Sequence, residues 1–421
     1  MDQYTQECLD DEEDLKRRVE EINKKFKTIY NSLPELVVRS PGRAEIIGNH
    51  TDYNHGYALS TAISNSTLAL FKKNNTNSIR IFSNNFSTQE PVIFAINQKI
   101  AHDEKNTWSN YARGVVEELQ KKNIITVGAD VLIDSNIPMG AGVSSSAAYE
   151  LAICLGLLKV SGQALSELEM ALLCQKAENL YVKSPCGFLD QGSIMFGKHG
   201  QLVFMDFLPQ DGNPVTKVEN VTTRLSDSGG SFVVAVDKTA KRELGTSGYP
   251  ARRKMCEDGL PFWSKVLNKE VESLRFVTPI EFEQHKAELE KISPEMGKRA
   301  EHIIYENERV LKAIEALKND DVSLFGKLLT EAGESALFLY ELAQDTPELL
   351  FLFEEGKKMP GVLGIRNMGG GFSATVLALV KKEQLGEFKK NLSNLYKNKF
   401  NSNLDFIEFN LTNGVGVLKT N

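Results

Sequence analysis

"PMGAGVSSSAAYELA", Pro138 to Ala152, links a segment rich in β-branched residues to an apolar run that ends near Val160. The reading of that junction decides the fold. Gly140 and Gly142 permit tight backbone approach, and three serines supply hydroxyls where the apolar run begins. Upstream, "GADVLIDSNIP" reads as a strand ending at Pro138, and the apolar run reads as a helix from about Ser145 to Val160. A glycine loop that enters a helix leaves the first amides unpaired, and such a terminus attracts anions, phosphate first among them. The loop lacks the Gly-Lys-Ser/Thr ending of a Walker motif. A flexible loop with a serine N-cap is the alternative for this stretch taken alone.

Three further stretches carry polar groups that chemistry can use. In "AENLYVKSPCGFLDQG", Ala177 to Gly192, Asp190 follows two apolar residues in a Gly/Pro-rich loop, where a partly shielded carboxylate can act as a general base. Glu178 lies on a helix end and can hold a hydrated magnesium ion. Alone, without a partner motif, these two residues read better as a turn aspartate and a solvated helix charge. "RNMGGGFSATVLALV", Arg366 to Val380, places three glycines before a strand, for close approach to a ligand or to another chain segment. "GRAEIIGNHTDYNHG", Gly42 to Gly56, contains Arg43, whose planar fork suits phosphate, and His50 and Asp52, spaced to present polar groups to one small polyol.

Around these motifs the chain reads as an ordinary globular protein. It has 421 residues, enough for two to three domains, with 41% hydrophobic and 25% charged residues. A net charge of −7 and the lack of a basic stripe argue against a nucleic-acid partner. The longest apolar run, Leu151 to Val160, is too short for a membrane span, and the acidic N-terminus has no signal-peptide character. Five scattered cysteines without a CxxC pair fit a reducing cytoplasm.

Helices are expected over Asp11 to Phe26, Trp108 to Lys122 with an Asn or Thr cap, Ser166 to Tyr181, Tyr249 to Leu267 and Glu281 to Leu317 with a break at Pro294. "ELVVRSPGRAEIIG" reads as an extended segment broken at Pro41 and Gly42, and Gln210 to Asn220 as the connection between two halves. Interspersed strands and helices without regular alternation indicate an α+β architecture.

In this order, the motifs resemble the GHMP family of small-molecule kinases and, within it, the galactokinases, over about Val37 to Leu418. "WSNYARGV" and "SGYPARRKMCE" have counterparts there as well. The resemblance implies a two-lobed fold: an N-terminal domain like ribosomal protein S5 domain 2, here 1–209, and a ferredoxin-like C-terminal domain, here 210–421. It implies ATP contacts at Pro138, Gly140, Ala141, Gly142, Val143, Ser144, Ser145, Ser146 and Ala147, and magnesium on Ser146 and Glu178. Asp190 would be the base and Arg43 the charge-offsetting cation. Asn49, His50, Asp52, Gly187 and Tyr249 would bind the sugar.

The implied reaction is ATP-dependent phosphorylation of the anomeric hydroxyl of galactose, in a cytoplasmic enzyme that is a monomer or weak homo-oligomer. The chain departs from the usual signature at Glu45 and Asn49, where galactokinases carry Asn and Glu, at Ser60, usually proline, and at Ser373-Ala374, usually Gly-Gly. Asn49 lacks the charge of a glutamate, which opens a uronic acid such as galacturonate as an alternative substrate. Glu45, two residues from Arg43 on one strand face, is within reach of it, and the sequence leaves open whether the two pair. A non-catalytic sugar- and ATP-binding sensor is the alternative from another class.

Overall fold

A computed structural model describes residues 12–86, 89–124, 126–184, 186–225, 229–241, 248–371 and 373–418. Twelve strands form two sheets. The first is built on β2 (Tyr57–Lys73), which pairs along one edge with β1 (Leu36–Ile47). Its other edge is shared by β5 (Ala129–Ser135) over Thr67–Lys73 and by β6 (Gln201–Asp206) over Tyr57–Ser60. β3 (Ser78–Ser83) and β4 (Val92–Ala95) extend the sheet beyond β5, β7 (Lys217–Thr222) extends it beyond β6, and β12 (Gly416–Val417) closes the edge of β1. The second sheet is antiparallel in the order β11-β8-β10-β9, with β8 at Gly230–Lys241, β9 at Val362–Asn367, β10 at Ser373–Lys381 and β11 at Asp405–Phe409.

Side-chain alternation along the strands divides the core. On β2, Ala69 and Phe71 enter the main core, while Leu68 and Leu70 face the Glu12–Tyr30 helix and pack with Ile22 and Phe26. The second sheet has helices on one face and the main core on the other. Ala374, Val376, Ala378 and Val380 pack with Phe353 and Phe388 on the helix side, while Leu377 and Leu379 join the core of the first sheet. The two halves therefore share one continuous apolar interior.

The Ser145–Val160 helix begins and ends where the sequence indicates. It is apolar nearly all round and buried from Ala147 to Leu158, as befits a helix lodged between sheet and neighbouring helices. The break at Pro294 is also present, between helices Pro279–Ile292 and Pro294–Lys318.

Other details differ from expectation. β1 runs through Pro41 and Gly42, because a register irregularity between Pro41 and Arg43 absorbs the missing donor. The Ser109–Lys121 helix starts at Trp108 without a side-chain cap; backbone turns from Asn106 and Thr107 open it. β5 stops at Ser135, where the Asn136 side chain takes the amide of Ser66. The helix expected over Tyr249–Leu267 is two, Tyr249–Asp258 and Leu260–Val266, joined at Gly259. Lys217–Thr222 still belongs to the first sheet, so the crossing to the second lies after it and not at Gln210–Asn220.

Candidate active site

The glycine-serine loop before the Ser145–Val160 helix is tied to the strand beside it. The backbone amide of Arg43 on β1 donates to the Val143 carbonyl at 3.1 Å, and Arg43 Nη1 donates to the Gly142 carbonyl at 2.5 Å. The rest of the fork meets Asp190, in the first turn of helix Leu189–Phe196, with Nε donating to Oδ1 at 2.7 Å. Ser144 stands at the helix N-cap position in a left-handed conformation, and its hydroxyl donates to Asp190 Oδ2 instead of capping the helix. The serine that the sequence offered as an N-cap thus orients a carboxylate, and the amides at the helix start keep their pull on anions.

Beside this pair lies a second buried carboxylate. Glu178 sits on a one-turn π-helix, Ala177–Val182, that continues the Glu167–Lys176 helix. Ser146 lies close enough to act on its carboxyl, and the Glu178 Oε2 accepts from Gln191 Nε2 at 2.9 Å and from the Cys186 thiol at 3.4 Å. Burial, then the charge of Asp190, raise the Glu178 carboxyl above its ordinary value. Glu150, one turn along from Ser146, is fully buried, and neither oxygen has a hydrogen-bond partner among the described residues. Burial, then the Glu178 charge, push its carboxyl well above the ordinary value. Two crowded carboxylates with hard oxygen donors and one serine hydroxyl are the kind of set that a hydrated divalent cation would relieve.

The segment after β1 is held from the opposite half of the chain. Glu306, on the Pro294–Lys318 helix, accepts from the amides of Gly48 at 2.9 Å and Asn49 at 3.2 Å, both on Oε1, and from Arg309 Nε at 2.7 Å on Oε2. Burial alone would raise its carboxyl, but Arg309, His302 and Arg366 outweigh it and hold the group down to about 2. His302 donates from Nε2 to the Asn49 carbonyl at 3.1 Å and accepts from Ser335 on Nδ1 at 2.8 Å. Burial lowers it to about 4, so it is neutral.

Past this clamp, His50 meets Tyr53 at 2.8 Å and stacks on Tyr340 with centroids 4.6 Å apart. Asp52 lies against Gly187, where any added Cβ would come within 2.3 Å of Asp52 Oδ2. Only glycine leaves room for that carboxylate. Burial first, then the charges of Glu45 and Asp190, raise Asp52 to about 6.

The family models agree with this geometry. The model for the GHMP kinases N terminal domain matches residues 110–198, and that for the galactokinase galactose-binding signature matches residues 24–73. A galactokinase of Thermotoga petrophila is 35% identical over 380 residues, 90% of this chain and 99% of the relative. The chain belongs to the galactokinase family. A galactokinase of Lactiplantibacillus plantarum is 32% identical over 94% of this chain and 98% of its own. Among solved structures, Lactococcus lactis galactokinase complexed with galactose superposes with a TM-score of 0.84 at 29% identity, covering 94% of this chain and 99% of that one. A mevalonate kinase shares the fold alone, at a TM-score of 0.63 and 17% identity.

Within this galactokinase-family frame, the structure brings together Arg43, Asp190, Gly142, Val143 and Ser144, and separately Ser146 with Glu178 and Asp52 with Gly187. Ala141 and Val143 are buried and anchor the loop, whereas Gly140 is exposed. Tyr249 opens its helix, but its side chain lies outside the described residues.

Glu45 does not pair with Arg43. On one strand face, residues two apart stand roughly 7 Å from each other with parallel side chains, and each finds a nearer partner. Arg43 takes Asp190, and Glu45 takes Arg366 at 3.2 Å and Asn49 at 3.0 Å. Ser60, the unusual residue on β2, is satisfied by Ser193 Oγ at 2.7 Å.

Sequence reading missed Arg366, Asn367, Gln191, His302 and Glu306. A signal existed for the last two. Arg299, His302, Glu306 and Arg309 recur at helical spacing along a helix whose same face is otherwise apolar and buried.

Proposed function

We propose that the protein transfers the γ-phosphoryl group of ATP to the C1 hydroxyl of galactose, giving galactose 1-phosphate and ADP. The observation that carries this reading is the Arg43–Asp190 ion pair. It joins the sugar signature, through β1, to the phosphate loop, through Gly142 and Ser144.

Asp190, oriented from both oxygens, accepts the C1 hydroxyl proton as the new O–P bond forms and the bond to ADP breaks. Arg43 is a permanent cation at the point where charge builds, and positioning with charge neutralisation is what phosphoryl transfer chiefly requires. The loop from Pro138 to Ala147 binds the ATP phosphates with the amides at its helix start. Ser146 and Glu178 would hold magnesium, which when bound neutralises phosphate charge. His50, Asp52, Gly187 and Tyr249 shape the sugar side. We further read the enzyme as cytoplasmic, in keeping with free Cys154, Cys174, Cys186 and Cys256.

The test is product identity. Incubation with ATP and galactose, followed by phosphorus–proton correlation NMR, is expected to place the phosphate on C1. Phosphate on another carbon, or ATP hydrolysis without sugar product, refutes the reading.

A further inference from the structure

Glu45 and Asn49 form one unit. Asn49 Nδ2 donates to Glu45 Oε1 at 3.0 Å and to the Gly369 carbonyl at 2.9 Å, and Asn49 Oδ1 accepts from Asn367 at 3.0 Å. Both amide hydrogens are spent inside the protein, so Asn49 has no donor to offer a ligand. Glu45 is fixed from behind. Its Oε1 also accepts from Nη2 of Arg366, whose side chain is fully buried and whose Nη1 and Nε donate to the carbonyls of Ile46 and Asn367. Glu45 Oε2 makes no hydrogen bond among the described residues, and the side chain keeps 6% exposure. Its charge is felt by Asp52, which abuts Gly187. A carboxylate anchored on one oxygen, with the other unpartnered among the described residues, keeps an acceptor in reserve.

Among the described residues, the arginines around this unit have partners. Arg43 belongs to Asp190 and Arg366 to Glu45, while Arg253 lies over Tyr53 and pairs with Glu257 at 2.9 Å. Glu45, Asp52 and Asp190 are all acidic.

We infer that Glu45, and not Asn49, is the specificity-determining residue of the sugar pocket: its free oxygen accepts a hydroxyl of a neutral sugar and rejects an anionic one. The exchange within the signature therefore moves the fixed negative charge to the neighbouring position and does not remove it, and the site selects galactose over a uronic acid. This rests on the sugar 1-kinase reading above.

The experiment measures binding and turnover of galactose and galacturonate by the wild type, by Glu45→Gln and by the double exchange Glu45→Asn/Asn49→Glu, with thermal melting to verify folding. Like charges in one buried site disfavour each other strongly, so wild-type kcat/KM and sugar affinity should both favour galactose by about a hundredfold or more. Loss of a charge-assisted acceptor should lower kcat/KM for galactose in Glu45→Gln by about tenfold or more, and the double exchange should restore it to within about threefold because the carboxylate–amide contact persists. Comparable galacturonate binding by the wild type, or a folded Glu45→Gln enzyme with unchanged sugar preference, overturns the inference. A folded double exchange no better than the single variant does so too. Selective galactose binding without any phosphorylation would instead refute the kinase reading and leave Glu45's role standing.

Discussion

Two arginine–carboxylate pairs each take one member from β1, two residues apart, and they are built for opposite purposes. Arg366–Glu45 is sealed: the arginine side chain has 0% exposure and the glutamate 6%, and backbone carbonyls and two asparagines complete the network. Arg43–Asp190 keeps an open side, with the aspartate 23% exposed beside the phosphate loop. A sealed pair fixes geometry, and breaking it leaves a buried charge uncompensated. An open pair can exchange a proton and meet a substrate.

Removing each arginine should separate the two. Arg366→Met leaves Glu45 buried beside neutral groups and should cost about 3–5 kcal/mol of stability, read from chemical denaturation. Arg43→Met should fold with a smaller loss but lower kcat by about a hundredfold or more. If Arg43→Met proved the more destabilised of the two, the contrast would collapse.

The Glu306 clamp belongs to the sealed side, and a milder change probes it. Glu306→Gln keeps an acceptor but loses the charge that holds the amides of Gly48 and Asn49. The sugar KM should rise about tenfold, with the ATP KM unchanged in steady-state assays. Equal rises in both would mean general loosening and not a displaced sugar loop.

The smallest effect expected is on pH dependence. The folded Asp52 carboxyl binds its proton up to about 6, against an ordinary 3.8. Its folded pKa is raised, so its contribution to stability is present below about 4 and is lost as pH rises to about 6. Sugar binding runs the other way, because the ionised carboxylate is the better acceptor. kcat/KM for galactose should therefore climb through about pH 6, and Asp52→Asn should flatten that limb. A limb unchanged in Asp52→Asn would assign it elsewhere.

The open side of the site was largely legible in the sequence, and the sealed side was not. Arg43, Ser144, Ser146, Glu178 and Asp190 each sit in a short motif that stands out in the sequence, although Glu178 and Asp190 gain a chemical reading only from the motifs beside them, and the helix from Ser145 to Val160 reads directly from composition. Arg366 and Glu306 act across more than 250 residues of chain, where spacing carries no information about contact. Whether Glu45 pairs with Arg43 stayed open in the sequence for the same reason. Strand alternation correctly put it on the face of Arg43, but the competing arginine arrives from another sheet.

The central claim is that Asp190, held by Arg43 and Ser144, takes the sugar proton. The most direct measurement is turnover and sugar binding by Asp190→Asn in parallel. General-base loss should lower kcat by about a hundred- to ten-thousandfold, with galactose still bound at comparable affinity in calorimetry. A variant that turns over at the wild-type rate while binding galactose normally would contradict the account.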